Sequence, residues 1–379
     1  MSTFVEELQY RFGPLLKPLA WCNARIMETR ENLYRRGMIK QWLPPSPTVS
    51  VGNIGWGGSG KTPVVDWLLR WAEKQSLQPS VLTRGYRGRP ASYPFQVGPG
   101  SLVEESGDEP LMLARQHPEA HIVVDPNRSR GGRWLFDHYR PDMVVLDDGF
   151  QHMAVHRDFD LVLLKPSDLV QHWNKVIPAG PWREPVSALS RASAFLIKTE
   201  PGSFNKVSAL AKYRLEALGR PVFLFGIEPV GFRQVITGEA APDFGGEPYL
   251  LVSGVGEPKQ VHRTAKRYLG YRAVDHLAFP DHHAFTKADV VEILAAMRRK
   301  GAKGVLCTPK DAVKLGPMCT EEFYTFDLRI GFGPSLTEHG ATFPVWWDEQ
   351  WQSIRRSGRE QADGETSSRT EEESHSGTE

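Results

Sequence analysis

Hydrophobic residues along this 379-residue chain gather in short runs separated by polar or Gly/Pro-rich turns. The runs at 48–51, 80–82, 121–124, 143–146, 161–164 and 194–197 are apolar on both faces, the pattern of strands buried inside a parallel sheet. Between them lie helical or looped segments such as 64–72, so the alternation predicts an α/β sheet with crossover helices. Further apolar runs at 222–225 and 249–252 bracket a Pro/Gly-rich stretch, which places a boundary near 225. A smaller second α/β domain is expected over 226–350, where Thr286 and Asp289 form a capping box that opens a helix at 290–294. The division expected is therefore an N-terminal segment 1–45, a core domain 46–225, the second domain 226–350, and a disordered polar tail 351–379 of Ser, Glu, Gly and Arg.

Residues 19–34 carry a different pattern. At ~100° per residue, Leu19, Ala20, Cys22, Ile26, Met27, Leu33 and Tyr34 fall within roughly 160° of arc, which predicts an amphipathic helix. Residues 1–43 hold seven Lys/Arg against four Glu, a local excess of +3 in a chain whose net charge is +1. A basic amphipathic helix suits an anionic bilayer surface. The competing expectation is a helix docked on its own domain, with Asn23 and Arg30 interrupting the stripe; docking on one edge and membrane contact on the other satisfies both.

Composition narrows the class. The near-zero net charge gives no signal for nucleic acid. Cys22, Cys307 and Cys319 lack metal-ligand spacing and suit a reducing compartment. No run approaches the ~18 apolar residues of a membrane span, and Glu6 and Glu7 stand where a secretory signal needs positive charge. A cytoplasmic protein, acting as a monomer, is expected.

The strongest chemical signal is Gly55-Trp56-Gly57-Gly58-Ser59-Gly60-Lys61-Thr62, a full phosphate-loop pattern between a strand-like run and a helical one. Its glycines let backbone N–H groups converge on phosphate oxygens, Lys61 supplies positive charge, and Thr62 offers a hydroxyl to Mg²⁺. The chain is thus expected to bind a nucleoside triphosphate with Mg²⁺ in a P-loop NTPase-type fold, the loop alone not distinguishing kinases, ATPases and GTPases. The run 143–146 ends in Asp147 and Asp148, as in a strand that delivers an acid to the phosphate side, and Asp147 is the candidate metal partner, direct or through water. Asp148 and His152 in the turn that follows are candidate substrate contacts, since open α/β sheets place ligands at the carboxyl ends of strands. Arg183 and Glu184 sit in a Pro-framed turn. Arg183 suits bidentate phosphate binding, and Glu184 either holds it or takes a sugar hydroxyl. Asp108 and Glu109 open a helix in a Gly/Pro-framed turn, where acids either cap the helix or serve as a base.

Several blocks together resemble one family. Val51-Gly52-Asn53-Ile54 with the phosphate loop and Pro63, Arg84-Gly85-Tyr86, Asp147 to His152, Pro178 to Pro185, and Thr308-Pro309-Lys310-Asp311 look like the tetraacyldisaccharide 4'-kinases of lipid A biosynthesis, over about residues 10 to 345. The resemblance implies transfer of the γ-phosphate of ATP to the 4'-hydroxyl of a tetraacylated glucosamine disaccharide 1-phosphate, at the cytoplasmic face of a Gram-negative inner membrane. It implies Asp108 as the base with His282 as its partner, and Glu109 in the Mg²⁺ shell. Arg128, among the loop arginines Arg84, Arg87, Arg128, Arg130 and Arg133, becomes the candidate for holding the substrate's 1-phosphate. Two other readings remain open: a nucleotide switch of the GTPase or metallochaperone kind, to which Lys198-Thr199-Glu200 would supply a degenerate base-reading loop, and a peripheral membrane ATPase.

Overall fold

A computed structural model describes residues 2–200, 203–336 and 340–354. The chain opens with a long helix, α1 (Ser2–Arg35), and enters the sheet through β1 (Thr48–Asn53), the phosphate loop and α2 (Lys61–Lys74). There follow β2 (Pro79–Thr83), β3 (Phe95–Val97), α3 (Val103–Ser106), α4 (Asp108–Gln116), β4 (His121–Val124), α5 (Arg128–His138), β5 (Met143–Asp147), β6 (Phe159–Leu164), α6 (Pro166–Leu169), β7 (Ala194–Lys198) and α7 (Phe204–Leu215). The rest is β8 (Val222–Gln234), β9 (Ala240–Ala241), β10 (Tyr249–Ser253), α8 (Pro258–Leu269), β11 (Asp275–Ala278), α9 (Lys287–Arg299), β12 (Gly304–Cys307), α10 (Pro309–Leu315) and β13 (Phe323–Ser335), with a last helix over 343–354.

One continuous sheet runs in the order β11-β10-β12-β13-β8-β7-β6-β1-β5-β2-β4-β3. From β8 to β4 it is parallel and buried on both faces, as the doubly apolar runs require. The expected junction at 225 falls inside β8, whose second half pairs antiparallel with β13 and carries the sheet into a second lobe built on β10, β11 and β12. A bulge between Asp327 and Leu328 and another irregularity near Phe332 break the register of this long pair.

One face of the core sheet packs on α2, and α2 packs on the last helix through edge-to-face contacts of Trp71 with Trp347 and Trp351. That helix runs through 354 with Trp351 buried, so residues 351–354, expected within the polar tail, are helical; the rest of that expected tail, 355–379, lies outside the described residues. His117, fully buried at the end of α4, is held between Asp66 and Glu73 of α2 (2.8 and 2.5 Å), which ties the helix carrying Asp108 to the helix carrying Lys61.

The helix expected at 19–34 begins at residue 2 and divides into two edges. Along one, Gln9 and Asn23 donate to the carbonyls of Gly180 and Ile177, Ala20 is buried, and Glu28 accepts from Ser187. Along the other, Phe12, Leu15, Leu19, Cys22 and Ile26 are exposed. The predicted stripe is thereby split: Ala20 faces the core, while Leu19, Cys22 and Ile26 face outward. The spacing of 12, 15, 19, 22 and 26 is that of a single helical face.

Candidate active site

The carboxyl ends of β1, β2 and β5 meet at the phosphate loop. Gly57 and Gly60 adopt φ of 90° and 89°, a region that side chains with a Cβ avoid, and a Cβ on Gly60 would also lie 3.1 Å from the Phe225 ring. Gly60 ends the loop and α2 starts at Lys61, so the helix N-terminus points its free N–H groups into the loop. Lys61 Nζ donates to Asn53 Oδ1 (3.1 Å) and lies 3.2 Å from Asp148 Oδ1. Trp56 is half exposed at the loop tip, its carbonyl accepting from Lys165, and the Ser59 hydroxyl is buried without a partner among the described residues.

The acids are arranged around Thr62. Its hydroxyl donates to Glu109 Oε2 (2.8 Å), so Glu109 of α4 reaches the loop from the facing helix. Asp147 accepts from Thr83 through Oδ2 (2.9 Å) and leaves Oδ1 buried without a partner among the described residues. Burial, then the negative charge of Glu109, pushes the Asp147 carboxyl up to about 6 against the pull of Lys61. No three His, Cys, Asp or Glu side chains among the described residues cage an ion by themselves. The donors present nonetheless fit Mg²⁺: they are all oxygens, one carboxylate oxygen is orphaned, and Mg²⁺ commonly takes one or two carboxylates and completes its shell from phosphate and water.

Asp148, predicted as a substrate contact, joins an ion network with Lys61 and Arg183. It adopts φ 52°, and both its oxygens accept from Arg183 Nη1 (3.1 and 3.0 Å). Burial raises its carboxyl, but Lys61 and Arg183 outweigh that and hold it below the usual range. Arg183 also donates to Gln151 (3.0 Å), and Gln151 to the Asn53 carbonyl. Glu184 does not hold Arg183, one of the two roles expected of it. It is buried against Arg191, which also grips Glu31 of α1, and its Oε1 has no partner among the described residues. Within this bend Arg183 reaches Asp148 beside Lys61, while its neighbour Glu184 turns toward Arg191 and α1.

Arg128 is buried at the start of α5, with Nη2 donating weakly to the Asp148 carbonyl and Nε unpartnered. His152 lies in the same region, and burial, then the charges of Arg128, Arg157 and Arg30, pull its imidazole down to about 4, so it is neutral near pH 7. Three of the other loop arginines make contacts away from Arg128, whereas the charge of Arg84 acts on it. Arg130 pairs with Asp125, Arg133 lies over the Trp42 ring, and Arg87 reaches the carbonyls of Asp281 and His282.

Asp108 and His282, 174 residues apart in sequence, meet across the two lobes: His282 Nδ1 lies 3.0 Å from Asp108 Oδ2. Asp108 is the first residue of α4 but caps nothing, since Gly107 holds the N-cap position. Burial raises its carboxyl, yet the His282 hydrogen bond and the charges of Lys310 and Lys314 bring it down to about 2. His282 adopts φ 58° and packs edge-on to Tyr86. Lys310 and Lys314 of α10 were not singled out by sequence reasoning; the block Thr308-Pro309-Lys310-Asp311 was the available signal.

Beside the loop, Gln9, Phe12, Leu16 and Asn23 of α1 face Trp56, Ile177 and Pro178 across an open, mostly apolar groove of about 750 Å³. Phosphate loop, acid pair and apolar groove thus lie along one side of the molecule.

Comparison with known proteins points to one family. The family described as tetraacyldisaccharide-1-P 4'-kinase matches residues 12–339. The tetraacyldisaccharide 4'-kinase of Nitratidesulfovibrio vulgaris is 48% identical over 352 residues, covering 93% of this chain and 98% of that protein. The protein of the same name from Oleidesulfovibrio alaskensis is 46% identical over 356 residues, covering 92% and 98%. Among solved structures, LpxK from Aquifex aeolicus in complex with ATP superposes with a TM-score of 0.68 at 28% identity, covering 85% of this chain and 95% of that one.

Proposed function

The chain belongs to the tetraacyldisaccharide-1-P 4'-kinase family, a set of ATP-dependent enzymes of lipid A biosynthesis, and from that premise we propose how its own residues carry the transfer. The reaction moves the γ-phosphate of ATP to the 4'-hydroxyl of a tetraacylated disaccharide 1-phosphate. Such a transfer needs in-line positioning, neutralisation of phosphate charge and a base beside the attacking oxygen. The phosphate loop and the α2 N-terminus cradle the phosphates, with Lys61 moving from Asp148 to the β and γ oxygens. Mg²⁺ would be held by Thr62, Asp147 and Glu109 together with the phosphates, and would supply charge neutralisation there. Asp108 takes the 4'-hydroxyl proton through the oxygen that His282 leaves open; the 4'-oxygen bonds to the γ-phosphorus as the bond from that phosphorus to the β–γ bridging oxygen breaks, leaving ADP, a neutral Asp108 carboxyl and a phosphate monoester. Arg183 releases Asp148 to meet the transferred group, and Arg128 and His152 contact the sugar and its phosphate.

The observation that carries this reading is the Asp108–His282 contact beside the Thr62–Glu109 bond: a base and a phosphate site assembled on the same helix, α4. The apolar groove beside Trp56 is the natural entry for acyl chains, and the exposed stripe of Phe12, Leu15, Leu19 and Ile26 rests on the bilayer from which they come. No helix among the described residues is long and apolar enough to cross a membrane, so surface attachment is the contact α1 can make. The test is incubation with γ-labelled ATP, Mg²⁺ and the tetraacylated disaccharide 1-phosphate in detergent. Label should enter the lipid fraction, and Asp108→Asn should lower that rate by a factor on the order of 10² to 10⁴. Label released only as free phosphate would overturn the reading in favour of an ATPase.

A further inference from the structure

The second ring nitrogen of His282 faces a cation. Lys310 Nζ lies 3.0 Å from His282 Nε2 and 3.4 Å from Glu109 Oε1. An ammonium has three donors and no acceptor, whereas a neutral imidazole has one of each. At that distance Nε2 must present its lone pair to Lys310, so the single ring proton resides on Nδ1, where it is donated to Asp108 Oδ2. The hydrogen bond made by one ring nitrogen thus decides the protonation of the other.

The side chain that makes this choice is itself fixed. Lys310 lies in the first turn of α10, and that turn is anchored from below: the buried Asp311 accepts from the Gly254 N–H (2.9 Å) and the Thr308 hydroxyl (2.6 Å). Lys314 Nζ, one turn on, lies 3.1 Å from Asp311 Oδ1 and 3.8 Å from Asp108 Oδ2. The other neighbours of the His282 ring are Asp281, whose Oδ1 is 3.9 Å from Nε2, and the Tyr86 ring; neither supplies a donor to Nε2.

We propose that Lys310 is a positioning residue for the phosphoryl transfer: it locks His282 in the Nδ1–H tautomer, which commits one oxygen of Asp108 to the histidine and leaves the other to accept the sugar hydroxyl. With Lys310 absent the ring proton is free to move to Nε2. That would set an imidazole lone pair against a carboxylate oxygen, two acceptors that repel, and the base would lose its orientation. The proposal rests on the reading of Asp108 and His282 as the base pair.

Two measurements test it. In protein carrying ¹⁵N-histidine, with the His282 signals assigned by their loss in His282→Asn, Nδ1 should show a protonated, pyrrole-type shift and Nε2 a pyridine-type one. Lys310→Met should erase that distinction, and Lys310→Gln, which keeps a donor, should preserve part of it. In steady-state kinetics Lys310→Met should lower kcat by a factor on the order of 10² while KM for ATP and lipid changes less than about threefold. In a His282→Asn background, where the amide donor has no tautomer to choose, the same substitution should cost less than about threefold. An equal cost in both backgrounds would make Lys310 a strut between lobes and overturn the proposal, as would a wild-type His282 protonated at Nε2. Full turnover by Asp108→Asn would instead overturn the base-pair reading, and that result comes from a different variant than those that judge Lys310.

Discussion

Arg191→Met probes how α1 is held against the catalytic lobe. In the wild type the guanidinium lies between Glu31, partly exposed on α1, and Glu184, whose side chain is 1% exposed, and over the Phe150 ring. The two limbs differ in weight. A partly exposed pair such as Arg191–Glu31 is worth up to about 1 kcal/mol. Removing the partner of a buried carboxylate costs more, about 3–5 kcal/mol, because an uncompensated charge stays behind. The expected loss is therefore about 3–6 kcal/mol, a large share of the ~5–15 kcal/mol that stabilises a domain. The assay is urea unfolding followed by circular dichroism. Glu184→Gln in the Arg191→Met background should restore at least half of the loss, since it removes the stranded charge. The pH dependence has a definite sign. Burial already raises the Glu184 carboxyl against the pull of Arg191, and loss of Arg191 raises it further. An acid whose folded pKa exceeds its unfolded value stabilises the fold below the unfolded pKa and loses that contribution as pH rises through the folded one. The deficit of the variant should thus be smaller near the ordinary glutamate range than at neutral pH. A loss under about 1 kcal/mol, or a double variant no better than the single, would refute the argument that Glu184 depends on Arg191.

Two further outcomes are expected. Lys61→Ala should retain less than about a tenth of wild-type turnover with an unchanged unfolding curve, because Lys61 acts on phosphate charge that the sheet does not need; normal transfer by this variant would remove the phosphate loop from the chemistry. Replacing Leu15, Leu19 and Ile26 with Glu should weaken flotation with anionic liposomes while leaving ATP affinity within about twofold, and equal flotation by both proteins would show that this edge of α1 does not meet the bilayer.

What could be read from the sequence was what is contiguous in it. The phosphate loop, β1 and the start of α2 occupy one stretch, and Asp147 ends a run whose double-sided apolarity marks it as an interior strand, so each could be placed without knowing the rest. The Thr286 capping box likewise formed as read, its hydroxyl accepting from the Asp289 N–H. Contacts made across the lobes left weaker traces. Lys310 in a Thr-Pro-Lys-Asp segment reads as an ordinary helix start, and its role depends on a histidine from another loop. The partner of Glu184 was invisible because Arg191 follows seven residues later at the end of a short 3₁₀ helix (Val186–Arg191), and Arg183 beside it offered a simpler pairing. β13 had a usable signal: Phe326, Leu328, Ile330 and Phe332 alternate with Asp327, Arg329 and Gly331, the period of a strand. The helix over 343–354 also had a signal, Phe343, Trp347, Trp351 and Ile354 at helical spacing, though the contact of Trp347 and Trp351 with Trp71 is made across the fold.

The two lobes are tied by strands and by helices. β8 pairs with β13 through an interrupted register, and α10 packs on α4, where Arg115 donates to the Val313 carbonyl and Lys314 stands 3.8 Å from Asp108. Asp108 and Glu109 thus sit on one side of a seam, His282 and Lys310 on the other, and the base exists only while that seam is closed. A substitution that parted α4 from α10 would leave the nucleotide cradle whole while taking the base apart.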